Sequence, residues 1–479
     1  MKNLRPLLLL TTLFFAWGFL TSINDILIPY LRGIFELSYV QAMLVQFAFF
    51  GAYFIGSLLY FVLSITRGDP IARIGYQKGI VGGLILAGIG ALLFYPAAHF
   101  LSYPFFLGAL FTVGLGFTLL QISANPYVAI LGDPQGASSR LNLCQGLNSI
   151  GTVLGPLIGG YLLLGITTHS EELGASSVQM PYLVFGGCLF LLALFFSFVD
   201  LPALHKTESM EKNVTALKFP QLSLGILAIF FYVGAEVSIG SLLINFFKLP
   251  EIGGKLGGIE EAEGSTYVAM YWGGLMIGRL LGSVSLSNLA QSKKTIALVV
   301  IPALGYLFLV TARCLIADLP LGKTLADMST FLPFLVLNAI AFRMGRNSAG
   351  FTTTLFAILA AVLLAVGVAS DGSLAMWCII AVGLFNSVLW SNIFTLAIRG
   401  LGPYTSQGSS LLVMAIVGGA LFPLLQGKAA DLHGVHLSYL VPIIAYVYIA
   451  WYGSRQEPLM ATQIIVTEEN QEEIEEAFV

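Results

Sequence analysis

Three ionisable residues stand inside long apolar runs of this 479-residue chain. Asp25 follows Asn24 about two-thirds of the way along the first run. Glu236 lies mid-run in Tyr232-Val233-Gly234-Ala235-Glu236, and Arg279 follows Gly278 in the next run. A charged side chain in hydrocarbon costs at least about 2.5–3.5 kcal/mol, so one that persists marks function by default. The chemistry on offer is charge handling. A carboxylate can bind a proton, or can hold a sodium ion together with neighbouring oxygen donors. Asp25 and Glu236 are the candidates for that work. Arg279, towards the end of its run, reads as a structural anchor.

Amides form a second set. Gln46, Gln121, Asn125, Asn142, Gln145, Asn148, Asn386 and Asn392 fall in or at the edge of apolar runs. Each brings donors and acceptors that must be paired where water is scarce. Gln121 and Asn125 are spaced i, i+4, and Gln145 and Asn148 i, i+3, so each pair shares a helix face. Aromatic residues accompany them: Tyr53, Tyr127, Tyr232, Tyr271, Trp272 and Trp390. Bidentate amides suit sugar hydroxyls, and an aromatic plane suits the C–H face of a sugar ring. The set therefore fits a neutral polyhydroxylated ligand. Amides that only tie helices together are the competing reading.

Other chemistry is poorly represented. The sequence has no Gly-x-Ser-x-Gly, no His-Glu-x-x-His and no Walker loop, which disfavours an enzyme or an ATP-driven pump. Cys144, Cys188, Cys314 and Cys378 lie in apolar runs without Cys-x-x-Cys spacing, and the five histidines fall in or near loops. No metal site is expected beyond sodium at Asp25, and no other cofactor. A net charge of −3 excludes the basic face that nucleic acid requires.

The elements that must position these residues follow from composition. The chain is 57% hydrophobic and 10% charged, with a mean hydropathy of +0.88. So little charge cannot cover a water-facing surface, and most of the surface must meet lipid. A spanning helix needs about 20 apolar residues. That template finds six spans in the first half, near 7–31, 40–65, 79–98, 103–131, 141–164 and 181–200. It finds eight in the second, near 222–247, 265–289, 295–317, 325–342, 351–369, 374–399, 408–427 and 437–453. Lys2 and Arg5 precede the first span like a signal peptide, but that run continues to Leu31 with no small-x-small cleavage pattern, so it is read as a retained helix.

Basic residues collect in alternate loops: Lys2/Arg5, Arg67/Arg73/Lys78, Arg140, Lys293/Lys294, Arg343/Arg346, Arg399 and Arg455. Arg313, Lys323 and Lys428 are exceptions. Short cytoplasmic loops are enriched in Lys and Arg, so both termini are expected in the cytoplasm of a bacterium, with the chain in its inner membrane. The predicted organisation is a first bundle over 1–200, a cytoplasmic linker over 201–221, a second bundle over 222–453 and an acidic tail over 454–479.

The halves also echo one another. Asn125-Pro126 leads through Gly132 to Gly151-x3-Gly155-Pro156, and Asn392 leads through Gly402 to Gly418-Gly419-x3-Pro423. Each is a long helix, a short basic turn and a glycine-rich helix. Parallel repeats joined by a linker describe two bundles that rock about a central site.

Particular motifs then resemble one family. Phe15-Ala16-Trp17-Gly18 with Asn24-Asp25-Ile26-Leu27-Ile28-Pro29 is similar to the first helix of the fucose–proton symporter family within the major facilitator superfamily. So are Ser123-Ala124-Asn125-Pro126-Tyr127, Arg140-Leu141-Asn142-Leu143-x-Gln145-x2-Asn148-Ser149 and Tyr232-Val233-Gly234-Ala235-Glu236. Arg73-x-Gly75-x2-Lys78 resembles the superfamily's loop after the second helix. The details look closest to the branch that imports glucose, galactose or N-acetylglucosamine.

The resemblance implies an all-α integral membrane protein of two six-helix bundles, from which the chain departs by two extra helices inserted near 295–342. It implies a proton-handling carboxylate at Asp25. At the place of the family's second carboxylate stands Gln121, while Glu236 stands where the family has glutamine. It carries sugar-site amides onto Gln145 and Asn148 and an aromatic onto Trp390.

The expected function is sugar import driven by inward sodium or proton movement, in a monomer that meets only sugar and membrane lipid. Cation coupling is assigned to Asp25, Asn24, Gln121 and Glu236. Sugar binding is assigned to Gln46, Asn125, Gln145, Asn148, Trp272, Asn386 and Trp390. An uncoupled facilitator or a sugar-sensing receptor of the same fold is the alternative.

Overall fold

The computed structural model describes residues 4–37, 39–164, 178–199, 201–202, 215–253, 259, 261–317, 319–345 and 348–456. Apolar runs of 20 residues or more leave the chain one way to satisfy its backbone in a bilayer, which is the helix. In the first half the long helices are α1 (Leu4–Phe35), α2 (Tyr39–Arg67), α3 (Tyr76–His99, interrupted at Leu93), α4 (Tyr103–Ile130), α5 (Ala137–Leu164) and α6 (Gln179–Phe198). In the second half they are α7 (Pro220–Phe247), α8 (Glu261–Ser285), α9 (Gln291–Ala317) and α10 (Leu321–Met344). The chain continues through α11 (Ala349–Ala369), α12 (Gly372–Ile398), α13 (Gly402–His433) and α14 (Val435–Gln456).

Among the described residues, twelve of these helices are long and apolar enough to cross a membrane. The other two, α5 and α8, have 28 and 25 residues, and the side chains of α5 are described only as far as Gly155. Large apolar side chains point outwards elsewhere, with Phe198 and Leu315 each 80% exposed, as contact with hydrocarbon requires.

Within the first half α1 packs on α5, α2 on α4, and α3 on α4 and α6. The α1–α5 contact is close because small residues line it. A Cβ on Gly18 would meet the Asn148 backbone, and one on Gly151 would meet the backbone of Phe15 and Phe19. Between α2 and α3 a one-turn helix, Pro70–Ile74, starts on Asp69, whose carboxylate accepts from the backbone N–H groups of Ile71 and Ala72. Gly75, at φ +86°, turns the chain into α3 through a region that favours glycine.

In the second half α7 packs on α12 and α13, and α8 on α12. The inserted helices α9 and α10 sit against α8, α11 and α12. Arg313 of α9 pairs with Asp327 of α10 and lies over the Tyr267 ring of α8 at 4.2 Å. The Tyr267 hydroxyl donates to the same Asp327 carboxylate at 2.7 Å. Arg313 breaks the basic-loop pattern of the sequence, and this pairing accounts for its charge.

Besides the break in α3, two helices of the second half that pack on α7 are interrupted where their sequences read as continuous. α12 breaks between Asn386 and Leu389, and α13 passes through a 3₁₀ turn at Ala415–Val417.

Loops carrying Arg67, Arg73, Arg140, Lys293, Lys294, Arg343 and Arg399 all lie at one end of the molecule, the basic end, as helices of alternating direction demand.

Candidate functional site

The ionisable residues of the second half meet one another. Glu236, 9% exposed on α7, accepts from the Tyr232 hydroxyl one helical turn earlier at 2.7 Å. Arg279 of α8 approaches the same carboxylate oxygen at 3.4 Å. The Tyr271 hydroxyl donates to the Glu236 carbonyl at 3.1 Å. It also accepts from the Asn386 amide at 2.8 Å, while the Tyr446 hydroxyl donates to the Asn386 oxygen at 2.6 Å. Helices α7, α8, α12 and α14 thus converge on one buried network. A charge here is tolerable because it is paired and hydrogen-bonded.

Arg279 is no simple anchor. Its Nη1 donates to the Ser149 hydroxyl of α5 at 2.6 Å, and its Nε to the Ser387 carbonyl at 3.3 Å. Ser387 falls at the break in α12, where intrahelical pairing is interrupted and a carbonyl is open to a side-chain donor. One guanidinium fork therefore joins a carboxylate, a helix break and the opposite half.

In the first half, the Tyr53 hydroxyl of α2 lies within hydrogen-bonding reach of the Gln121 amide on α4 and the Trp17 indole on α1. The Asn148 amide donates to the Phe14 carbonyl of α1 at 2.9 Å. Gln145 lies one turn before Ser149 on α5, and its carbonyl accepts from the Ser149 hydroxyl at 3.0 Å. Asn125 is fully buried, and neither of its amide atoms has a hydrogen-bond partner among the described residues. Asn24 and Asp25 lie on α1 and Gln46 on α2, with side chains outside the described residues.

The other expected site residues are more dispersed. Trp272 sits edge-on to Tyr271, with ring centres 5.2 Å apart, and so flanks the Glu236 network. Trp390 stacks on Phe394 at 5.1 Å, on the second segment of α12. Asn386 serves the tyrosine network, and Asn142 reaches the other half.

Between the halves, hydrogen bonds climb from the basic end along α5. Asn288 donates to the Asp133 carboxylate at 3.3 Å. Ser139 donates to the Ser283 carbonyl at 2.5 Å, and Ser138 and Thr395 share a bond at 2.6 Å. Asn142 then reaches Asn392 at 3.4 Å. The Arg279–Ser149 bond is the deepest rung. Ser149 lies twelve residues past Ala137, roughly 18 Å at 1.5 Å per residue, near the middle of a core about 30 Å thick. Gly146 lets α8 approach, since a Cβ there would meet Leu280 at 2.7 Å.

A second contact joins α2 to α13. Ser406 donates to the Asp69 carboxylate, which also receives the Tyr60 hydroxyl. Between the two contacts, at the basic end, a cavity of about 430 Å³ is lined by Ala129, Ile130 and Pro134 from one half and Thr395, Ile398 and Arg399 from the other. The turns that echo one another in the sequence therefore face each other across it.

Four features escaped the sequence reading: the partnership of Arg279, the Asp69 carboxylate, and the hydroxyls of Ser149 and Tyr446. Only Arg279 carried a signal, as a charge in an apolar run. Its partners come from helices far apart in the sequence.

Comparison with known proteins places this architecture. The model of the major facilitator superfamily matches residues 8–322. A glucose/galactose transporter of Brucella abortus is 42% identical over 448 residues, 93% of this chain and 92% of that one. The L-fucose-proton symporter of Escherichia coli is 29% identical over 475 residues, 93% of this chain and 91% of that one. The crystal structure of a major facilitator superfamily transporter, FucP, in the outward conformation superposes with a TM-score of 0.71 at 26% identity, covering 95% of this chain and 99% of that one. With fourteen long helices in two packed halves and a family model matched over most of its length, the chain belongs to the major facilitator superfamily, a family of membrane transporters.

Proposed function

We propose that this chain is a secondary active sugar importer that carries a hexose such as glucose or galactose, or N-acetylglucosamine, inward with a cation by alternating access. The observation that carries this reading is the 42% identity to a glucose/galactose transporter along 93% of the chain. Its interior supports it. Amides and aromatic rings from both halves are buried inside helices of a lipid-facing protein, and such groups suit a neutral polyhydroxylated ligand. The protein works as a monomer in a bacterial inner membrane, with the basic end and both termini in the cytoplasm. In that orientation the hydrogen bonds along α5 close the cytoplasmic side, and the molecule faces outwards.

Glu236 already has a resident cation in Arg279. Asp25 is then the group for the coupled ion. Gln121, near Tyr53, offers a neutral amide oxygen rather than a second titrating carboxylate. With Asn24 it would complete an oxygen set for sodium. An inward-moving cation gains about 2.3 kcal/mol per 100 mV, enough to concentrate sugar.

The test is uptake of labelled glucose, galactose, N-acetylglucosamine and fucose in proteoliposomes, with sodium and pH gradients imposed separately. Accumulation driven by sodium is expected, and its loss in Asp25→Asn. Uptake driven by a pH gradient alone would overturn sodium in favour of the proton. Counterflow indifferent to both gradients would make the protein a facilitator, and binding without flux a receptor. Full concentrative uptake in Asp25→Asn would remove the coupling role from that residue.

A further inference from the structure

Arg279 holds two of its three acceptors unequally. The bond to Ser149, across the halves, is 2.6 Å long. The contact with its counter-ion Glu236, within one half, is 3.4 Å. A guanidinium–carboxylate pair usually closes to about 2.7–2.9 Å and gains more than a bond to a neutral hydroxyl. Here the stronger partner is the more distant one. The Ser149 hydroxyl is well set to keep the guanidinium, because its own proton goes to the Gln145 carbonyl and its lone pairs are left to accept. Tyr232 holds the Glu236 oxygen at 2.7 Å from the other side, so the carboxylate is not stranded while Arg279 leans away.

We propose that Arg279 is a partner-switching positioning residue. It is drawn to Ser149 while the α5–α8 seam is closed, and it closes on Glu236 when the seam opens. The bond lost between the halves is then offset by a shorter ion pair within the second half. This lowers the cost of parting α5 from α8 at the deepest rung, where a desolvated bond is otherwise expensive to leave unmade. The Nε bond to Ser387 belongs to the same half as Arg279 and acts as the pivot. The inference rests on the alternating-access reading only in taking the opening of this seam as the transition.

The two partners then have opposite effects. Removing the Ser149 hydroxyl weakens the closed seam alone. Neutralising Glu236 weakens most the arrangement that forms on opening, where the pair is shorter than its present 3.4 Å. The experiment is maleimide labelling of a single cysteine at Ser283, beside the Ser139–Ser283 rung. The protein is the full-length chain in detergent, with Cys144, Cys188, Cys314 and Cys378 replaced, so no sugar or ion gradient is needed.

Ser149→Ala should raise the labelling rate roughly tenfold, the worth of one hydrogen bond to a charged group. Ser149→Thr, which keeps the hydroxyl, should leave the rate near that of the parent. Glu236→Gln should lower the rate several-fold. Arg279→Lys, whose ammonium keeps the charge without the fork, should remove the difference between the Ser149 and Glu236 backgrounds. Shifts of the same sign in Ser149→Ala and Glu236→Gln, or no shift in either, would overturn the proposal. Melting midpoints measured alongside distinguish a fold defect, which would move both variants together. Because labelling is independent of transport, its failure leaves the sugar assignment to be judged by uptake.

Discussion

The two contacts between the halves close on different chemistry. At the α2–α13 contact a carboxylate, Asp69, is held by hydroxyls of Tyr60 and Ser406 and by backbone N–H groups. It sits at the basic end and, among the described residues, shares no hydrogen-bond partner with the central ones. At the α5–α8 contact a guanidinium reaches from the seam to Glu236 and, through Tyr271, to Asn386 and Tyr446. The first contact is a clasp. The second is wired to the interior. A charge beside neutral donors at an edge can only hold the halves together, whereas a charge shared between a seam and a buried carboxylate makes each depend on the other.

That difference can be broken by mutation, and the largest effect is expected at the wired seam. Arg279→Gln leaves Glu236 buried without its counter-charge, which costs about 3–5 kcal/mol. Little monodisperse protein should be recovered, with a marked fall in melting midpoint. The double variant Arg279→Gln/Glu236→Gln should recover most of the yield, because no buried charge remains. Failure of the double variant to recover would mean that Arg279 stabilises the fold through Ser387 and Ser149 alone.

An intermediate effect is expected at the clasp. Asp69→Asn weakens its charge-assisted bonds by about 1–3 kcal/mol. Labelling at the basic end should rise while the apparent affinity for sugar stays unchanged. A change in affinity would show that the clasp is wired as well. The smallest effect belongs to Ser139→Ala, which removes one neutral rung worth about 0.5–1.5 kcal/mol and should raise labelling only slightly. Equal effects of Ser139→Ala and Ser149→Ala would erase the distinction between outer and deepest rungs.

The fold was legible because its causes are local. Length of apolar run and alternation of basic loops found fourteen helices, and the inserted pair at 295–342 appears as α9 and α10. Breaks were not legible. Asn386-Ser387-Val388 contains neither proline nor glycine, and the interruption follows from packing, with Gly278 of α8 pressed against Ser387. The site was half legible for the same reason. A charge or amide in an apolar run announces itself, but its partner does not. Glu236 and Arg279 lie 43 residues apart, and Arg279 and Ser149 lie 130 apart. No periodicity relates them. Hydroxyl groups such as Ser149 and Tyr446 are too common in membrane helices to stand out.

The inserted pair has a consequence of a different kind. Arg313 and Asp327 pair with each other and with Tyr267 of α8, so helices α9 and α10 bring their own counter-charge. The unit enters and leaves the membrane at one face, and the helices after it keep their direction. A segment built this way can be gained or lost in one genetic event without re-threading α11 to α14.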